Sequence, residues 1–130
     1  MIVVDSSIWI AALRRQPLPA VEQLKRLPTR QILIGDLILV ELLQGAANDA
    51  NAERIRRSLS KFDGARMLDE QIAVRAASNY RHLRSQGITV RKTNDLIIAT
   101  FCLQHDHTLF HRDRDYSHFV AHFGLRLLDA

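Results

Sequence analysis

The stretch that decides the fold is Met1-Ile2-Val3-Val4-Asp5-Ser6-Ser7, at the start of the chain. Its apolar run, Ile2–Val4, predicts a short buried strand, and the strand stops at a carboxylate and two hydroxyls. The next residues predict a helix, with Ser6 or Ser7 as its N-cap. In open α/β sheets, ligands bind just outside the carboxyl ends of the parallel strands. Asp5 therefore stands where a functional side chain is expected.

The rest of the chain alternates between the two kinds of element. Short apolar runs predict strands at 31–35, 65–68, 108–110 and 125–128, the second of them weak. Apolar residues at helical spacing predict helices at 6–15, 20–27, 37–43, 48–62, 70–85, 95–105 and 116–122, with Asp36, Asp69, and either Thr93 or Asn94 as N-caps. This alternation predicts one α/β domain over residues 1–130. Its parallel sheet would have four to five short strands, flanked by helices on both faces.

Composition sets the broad class of the protein. The formal net charge is +4 and 47% of the residues are hydrophobic, so we expect a globular chain whose basic surface suits polyanions such as nucleic acid. An ordinary solubility charge explains the balance equally well. The single cysteine, Cys102, excludes an internal disulfide and a Cys-based zinc site, and we expect it in the core. No apolar run approaches a membrane span and the start is unlike a signal peptide, so we expect a cytoplasmic protein without membrane contact.

Four acidic residues stand in unusual places: Asp5, Glu41, Asp95 and Asp113. Each has a structural explanation when taken alone, as a helix cap, a helix-dipole partner, a solvent-facing residue or a turn residue. Asp5 and Asp113 both follow predicted strands and so share one edge of a parallel sheet. The helix that begins at Asp95 is expected to start at the opposite edge, so topology alone does not bring it to Asp5.

If these carboxylates converge, they repel one another and some must take up protons unless a cation neutralises them. A hard divalent ion such as Mg²⁺ or Mn²⁺ prefers oxygen ligands of this kind. Such an ion activates water and stabilises charge on a phosphate. In a basic protein, a carboxylate cluster of this kind points to hydrolysis of phosphodiester bonds.

At these residues the chain resembles the PIN-domain ribonucleases, and among them the toxins of VapBC-type toxin–antitoxin pairs. Four motifs in the same order carry the resemblance over nearly the whole chain: V-V-D-S-S at 3–7, I-L-V-E-L-L-Q-G at 38–45, T-N-D-L-I-I-A-T at 93–100 and L-F-H-R-D-R-D-Y at 109–116. It implies a PIN-like fold in which Asp95 lies in the same acidic pocket as Asp5.

The resemblance also implies the chemistry. It gives Asp5, Glu41, Asp95 and Asp113 as catalytic residues of an endoribonuclease. Asp5, Asp95 and Asp113 would hold Mg²⁺ or Mn²⁺, while Glu41 would orient or deprotonate the attacking water. It implies an RNA substrate, a homodimer, and a VapB-like antitoxin whose C-terminal segment covers the pocket.

Further residues are predicted around this centre. Asp115 leaves the choice of fourth acidic ligand open, although Asp113 is preferred. Tyr116 stands where the family usually has Phe, a difference expected to change little. Residues expected to support the acidic side chains from behind are Ser6, Thr93, Asn94 and Asp115. Residues expected to contact the RNA backbone are Arg91, Lys92, Arg112 and Arg114.

Two other functions are compatible with the sequence. One is a catalytically inactive PIN-fold module that binds RNA or protein, but the presence of all four acidic residues favours an enzyme. The other is a phosphatase of the haloacid dehalogenase type, which also begins with a strand ending in Asp. That family has a second Asp two residues on, whereas this chain has Ser7 there, so this function ranks low.

Overall fold

The computed structural model describes residues 1–112 and 114–129, without the side chains of Arg114 and Asp129. Within these residues, five strands alternate with seven helices. The strands are β1 (Ile2–Val4), β2 (Ile32–Gly35), β3 (Asp63–Ala65), β4 (Thr108–His111) and β5 (Leu127–Asp129). The helices are α1 (Ser6–Leu13), α2 (Pro19–Arg26), α3 (Asp36–Gln44), α4 (Asp49–Leu59), α5 (Glu70–Ser85), α6 (Thr93–His105) and α7 (Ser117–Phe123), with 3-10 turns at Thr29–Gln31 and Arg114–Tyr116.

The strands form one parallel sheet in the order β3-β2-β1-β4-β5. The chain builds outward from β1 in one direction and then returns to the other side of it, so the strand order reverses between β1 and β4. The ladder between these strands pairs Val4 with Phe110 and continues one step further, since the backbone N–H of Asp5 donates to the Phe110 carbonyl at 2.9 Å. Asp5 is therefore fixed at the switch point of the sheet, where open α/β sheets bind ligands.

Helix α6 is the most deeply buried helix, as its nearly continuous apolar sequence predicts. Eight consecutive residues, from Asp95 to Cys102, are buried. A buried hydrogen bond joins α6 to α5, from the Asn79 amide to the Thr100 hydroxyl at 3.2 Å. Thr100 in turn donates to the Leu96 carbonyl at 2.7 Å. The Asn79–Thr100 bond therefore ties α6 to α5, whereas the Thr100–Leu96 bond lies within α6. None of the helices in the described part of the chain has the length and hydrophobicity to cross a bilayer.

The expected position of the Asp95 end of α6 is wrong. A helix that runs antiparallel to the strand after it ends near the start of that strand and begins at its carboxyl edge. Helix α6 runs in this way: the His107 ring beyond its end lies 3.3 Å from the Met1 amino group at the start of β1. Its first turn contains Asp95 and lies at the opposite edge, beside Asp5. Topology therefore does bring the two carboxylates together.

Three predicted N-caps are also wrong, because the helices start earlier than their polar residues suggest. Asp5 rather than a serine occupies the N-cap of α1, Gly35 that of α3 and Lys92 that of α6, each without a side-chain cap. The Asp69 cap is confirmed, since its carboxylate accepts from the Ile72 N–H at 2.8 Å.

The weak strand predicted at 65–68 lies earlier in the chain, as β3 (Asp63–Ala65). Its pattern was hard to recognise because β3 is an edge strand of mostly exposed residues. The apolar residue that suggested a strand, Met67, is buried beyond the end of β3, where its N–H donates to Asp36 at 3.0 Å. Its side chain packs so closely on Gly35 that a β-carbon there would overlap the Met67 sulfur.

This contact predicts a coupled stability effect at the end of β2. Gly35→Ala should lower the free energy of unfolding by about 1–3 kcal/mol through overpacking, and Met67→Ala by about 2–5 kcal/mol through the cavity it leaves. The double variant should lose less than the sum of the two, because the cavity accepts the new methyl group. Gly64→Ala is the control, since its β-carbon would approach only the Ile34 carbonyl, at 3.9 Å. Urea unfolding measures the free energy of unfolding of all four variants. If the losses of the two single variants add exactly in the double variant, Gly35 and Met67 are not in contact.

Candidate active site at the switch point of the sheet

Asp5 lies at the junction of β1 and α1 and is 6% exposed. Its Oδ2 accepts a hydrogen bond from the Ser7 hydroxyl at 3.1 Å. Burial raises the pKa of Asp5 above its ordinary value, and hydrogen bonds from Ser7, the Ser6 backbone and Tyr116, with the nearby His111, oppose this rise. Asp5 is thus a buried carboxylate that is surrounded mainly by neutral donors.

Asp95 reaches the same place from the first turn of α6 and is 7% exposed. The Tyr116 hydroxyl lies between the two carboxylates, 3.3 Å from Asp5 Oδ1 and 3.2 Å from Asp95 Oδ1. Tyr116 is fully buried, and its ring meets the His111 ring edge-on at 4.9 Å. Burial and the surrounding carboxylates raise the pKa of Tyr116 far above its ordinary value, so its hydroxyl stays a proton donor.

Glu41 completes the described acidic group from the middle of α3. It is half-buried, and its Oε1 atom is buried without a hydrogen-bond partner among the described residues. Burial raises the pKa of Glu41 above its ordinary value, and the charges of Asp5 and Asp95 raise it further. The nearby Ser6 side chain and the charge of Lys92 oppose these effects. Glu41 is therefore a carboxylate that accepts a proton more readily than an exposed glutamate.

The other predicted site residues have mixed outcomes. Lys92 lies close enough to influence Glu41, whereas Arg91, Arg112 and Asp115 are placed at the surface with exposed side chains. Thr93 and Asn94 are the first two residues of α6 and not its cap. Asp113 lies outside the described residues, as does the side chain of Arg114.

Sequence reasoning missed two contacts of this centre. It assigned support of Asp5 to Ser6, but the Ser7 hydroxyl makes that hydrogen bond, while the Ser6 side chain influences the pKa of Glu41. It also expected little from Tyr116, whose hydroxyl contacts both buried carboxylates. The only signal in the sequence was a hydroxyl on an apolar ring directly after a run of charged residues.

The donor set suits a divalent cation of the Mg²⁺ class. No three His, Cys, Asp or Glu side chains among residues 1–112 and 115–128 are placed to hold one ion together. Mg²⁺ does not need such a cage, since it keeps several waters and binds through one or two carboxylates. Asp5 and Asp95 provide two carboxylates, and the buried Oε1 of Glu41 provides an acceptor with no partner in the described structure.

A groove leads away from this centre. It has a volume of about 590 Å³ and lies between α1, α3 and α4, with Glu41 in its wall. Its lining combines four aliphatic side chains with two arginines, Glu41 and smaller groups: Ile10, Leu13, Arg14, Glu41, Leu42, Gly45, Asn51, Arg54, Ile55 and Ser58. In the described structure the two arginines make no ion pair, whereas Arg56 and Arg57 on α4 both pair with Glu53.

Comparison with known proteins connects this geometry to a family. The family model of the PIN domain matches residues 2–121. The chain belongs to the PIN domain family. This PIN domain is 32% identical over 120 residues to Ribonuclease VapC11 of Mycobacterium tuberculosis, a match that covers 89% of each chain. The family resemblance expected from the four sequence motifs is thereby confirmed.

Solved structures confirm the predicted fold. VapBC2 from Rickettsia felis, bound to a promoter DNA fragment, contains a chain that matches with a TM-score of 0.76 and 21% identity, covering 99% of this PIN domain and 98% of that chain. VapC20 of Mycobacterium tuberculosis, a sarcin-ricin loop cleaving toxin, matches with a TM-score of 0.67 and 16% identity, covering 91% and 94%. The PIN-like parallel sheet expected from the sequence is the sheet observed.

The buried carboxylates predict how stability depends on pH in metal-free protein. Because the pKa of Asp5 is raised on folding, the folded protein holds more protons than the unfolded chain from about pH 4, the unfolded pKa, up to the raised pKa of the folded state. The free energy of unfolding should therefore fall as the pH rises through this range. Asp5→Asn should reduce that fall and raise the melting temperature at pH 7, measured in EDTA. The exposed Glu70→Gln is the control, and a lower melting temperature for Asp5→Asn would contradict the argument.

Proposed function

We propose that this PIN domain is a metal-dependent endoribonuclease that acts as the toxin of a type II toxin–antitoxin pair. The observation that carries the proposal is the meeting of Asp5 and Asp95 at one hydroxyl, beside Glu41, at the switch point of the sheet. The names of its relatives support the reaction, since VapC11 is a ribonuclease and VapC20 cleaves the sarcin-ricin loop.

In the proposed reaction, Asp5 and Asp95 would hold Mg²⁺ or Mn²⁺, and Asp113 is the proposed third ligand. The ion would supply Lewis acidity toward water and neutralise charge on the scissile phosphate. Glu41 orients the attacking water and accepts its proton. Its raised pKa suits this role, because a general base works best when its pKa lies closer to the operating pH.

The RNA backbone would be held by basic residues at the rim. Lys92 is the best supported of these, since its charge reaches Glu41. Arg91 and Arg112 are exposed, and Arg114 is proposed on its sequence position alone. Phosphate contacts of this kind fix the register of the strand and weaken as salt rises.

The partner we propose is a VapB-like antitoxin that lies in the groove between α1, α3 and α4. The structures that resemble this chain include VapBC complexes. An aliphatic groove between helices suits the apolar face of an amphipathic segment. The arginines at Arg14 and Arg54 would pair with acidic groups on that segment. Because Glu41 is in the groove wall, a bound segment would also close the way to the active site. We also propose that the toxin forms a homodimer, and light scattering would test this.

Loss of either central carboxylate should strongly reduce catalysis without unfolding the protein. Asp5→Asn and Asp95→Asn should each lower the rate of RNA cleavage by about 10²–10³-fold, the loss typical of removing a group that stabilises transition-state charge. Glu70→Gln should cleave RNA at the unmutated rate. Cleavage of labelled RNA in Mg²⁺, with and without EDTA, measures the effect, and circular dichroism checks the fold.

Two results would redirect this proposal. Cleavage that survives both substitutions would place the catalytic centre elsewhere. An unmutated chain that binds RNA but neither cuts it nor arrests growth when expressed would favour the inactive binding module.

The groove can be tested at Gly45, whose added β-carbon would meet only two carbonyl oxygens at 3.7 Å. Its φ of −82° suits any residue. Gly45→Phe should fill the groove and weaken binding of the antitoxin encoded with the toxin by at least about tenfold, or 1.4 kcal/mol. Ala47→Phe, exposed nearby but outside the groove, is the matched control. Equal affinities for the two variants, measured by calorimetry, would remove the groove from the interface.

A further inference from the structure

The Tyr116 hydroxyl occupies the position between two carboxylates that a positive charge would normally fill. It contacts Asp5 Oδ1 and Asp95 Oδ1 at nearly equal distances, 3.3 and 3.2 Å. The distance between the two carboxylate oxygens therefore cannot exceed the sum of these two distances. A hydroxyl has one proton and can donate it fully to only one oxygen at a time. It thus offers both carboxylates partial compensation and neutralises neither.

The surrounding packing holds the hydroxyl in this position. Tyr116 is fully buried, ends a 3-10 turn that leads directly into α7, and meets the His111 ring at 4.9 Å. The phenol therefore cannot swing away without breaking core contacts. The Ser7 hydroxyl is different, since its hydrogen bond reaches Asp5 alone.

We propose that Tyr116 is a positioning residue that stands in for the cation in metal-free protein and thereby lowers the affinity of the site for divalent ions. The proposal rests on the metal-dependent function proposed above. The hydroxyl stabilises the pair of carboxylates most when no cation is present, because hydrogen bonds to full negative charges are the strongest. Once an ion neutralises that charge, the same hydrogen bonds stabilise less.

Thermodynamic linkage turns this difference into a measurable sign. Consider a group that stabilises the metal-free protein more than the metal-bound protein. It weakens metal binding by the difference between the two stabilising free energies. Removing the hydroxyl should therefore destabilise the metal-free protein and tighten metal binding together. A hydroxyl that only oriented the metal ligands would have the opposite effect on affinity.

The decisive variant is Tyr116→Phe, which keeps the buried ring and deletes both contacts. The matched control is Thr100→Val, which deletes another buried hydroxyl, one that is hydrogen-bonded to Asn79 and Leu96 in the described structure. Free Mn²⁺ is counted by electron paramagnetic resonance during titration of the full chain. Melting temperatures are measured in EDTA and in saturating MnCl₂.

For Tyr116→Phe we expect a larger loss of melting temperature in EDTA than in MnCl₂, and Mn²⁺ binding tighter by about three- to tenfold. Thr100→Val should lose equally under both conditions, with an unchanged Mn²⁺ affinity. A second, opposite perturbation uses 3-fluorotyrosine in the Tyr80→Phe background, where Tyr116 is the one remaining tyrosine. This stronger donor should raise the metal-free melting temperature and weaken Mn²⁺ binding.

Weaker Mn²⁺ binding by Tyr116→Phe would overturn the proposal and make the hydroxyl an organiser of metal ligands. Equal losses of melting temperature with an unchanged affinity would overturn it in favour of packing alone. If Tyr116→Phe does not fold, the fluorotyrosine protein decides by the sign of its change. Unmutated protein that binds no Mn²⁺ would instead overturn the metal site itself, which separates that failure from this one.

Discussion

The constraint on which the structure depends is the burial of two like charges at the switch point of the sheet. Asp5 and Asp95 are each less than a tenth exposed, and they come from the central strand and the most buried helix. Bringing them together costs free energy, because burial and mutual repulsion both disfavour the charged forms. The packing of α6 against α5 and the β1–β4 ladder hold them there. The fold thus holds two carboxylates in positions that cost folding free energy, as expected of a functional site.

Neutral hydroxyl groups contact both buried carboxylates. No lysine or arginine side chain in the described part of the chain is buried. An internal ion pair would satisfy the carboxylates and leave nothing for a divalent ion to neutralise. A neutral hydroxyl does not cancel the charge of a carboxylate, and exposed basic side chains such as Lys92 are available to a polyanion. The two kinds of charge are separated by depth, and each is suited to a different ligand.

Much of this could be predicted from the sequence because the signals were local. The apolar runs at β1, β2 and β4, and the all-round apolar α6, follow directly from burial. Acidic residues interrupting those segments marked the centre. The position of strand β3 was predicted too late in the sequence. An exposed edge strand containing Gly64 has little apolar pattern, whereas the apolar Met67 beyond it resembles a strand residue. The error about Asp95 was one of geometry, since an antiparallel helix begins at the carboxyl edge of the strand that follows it.

The Tyr116 contact could not be predicted in the same way, because it depends on three segments distant in sequence meeting at one atom. By pattern alone, Tyr116 is an aromatic core residue, and its ring behaves as one. Its hydroxyl matters only because Asp5 and Asp95 are already placed on either side of it. A phenol differs from a phenyl ring by a single oxygen, so packing is nearly indifferent to the choice. The electrostatic balance of the centre is sensitive to that oxygen, and the proposed effect on cation affinity therefore depends on one atom while the fold stays the same.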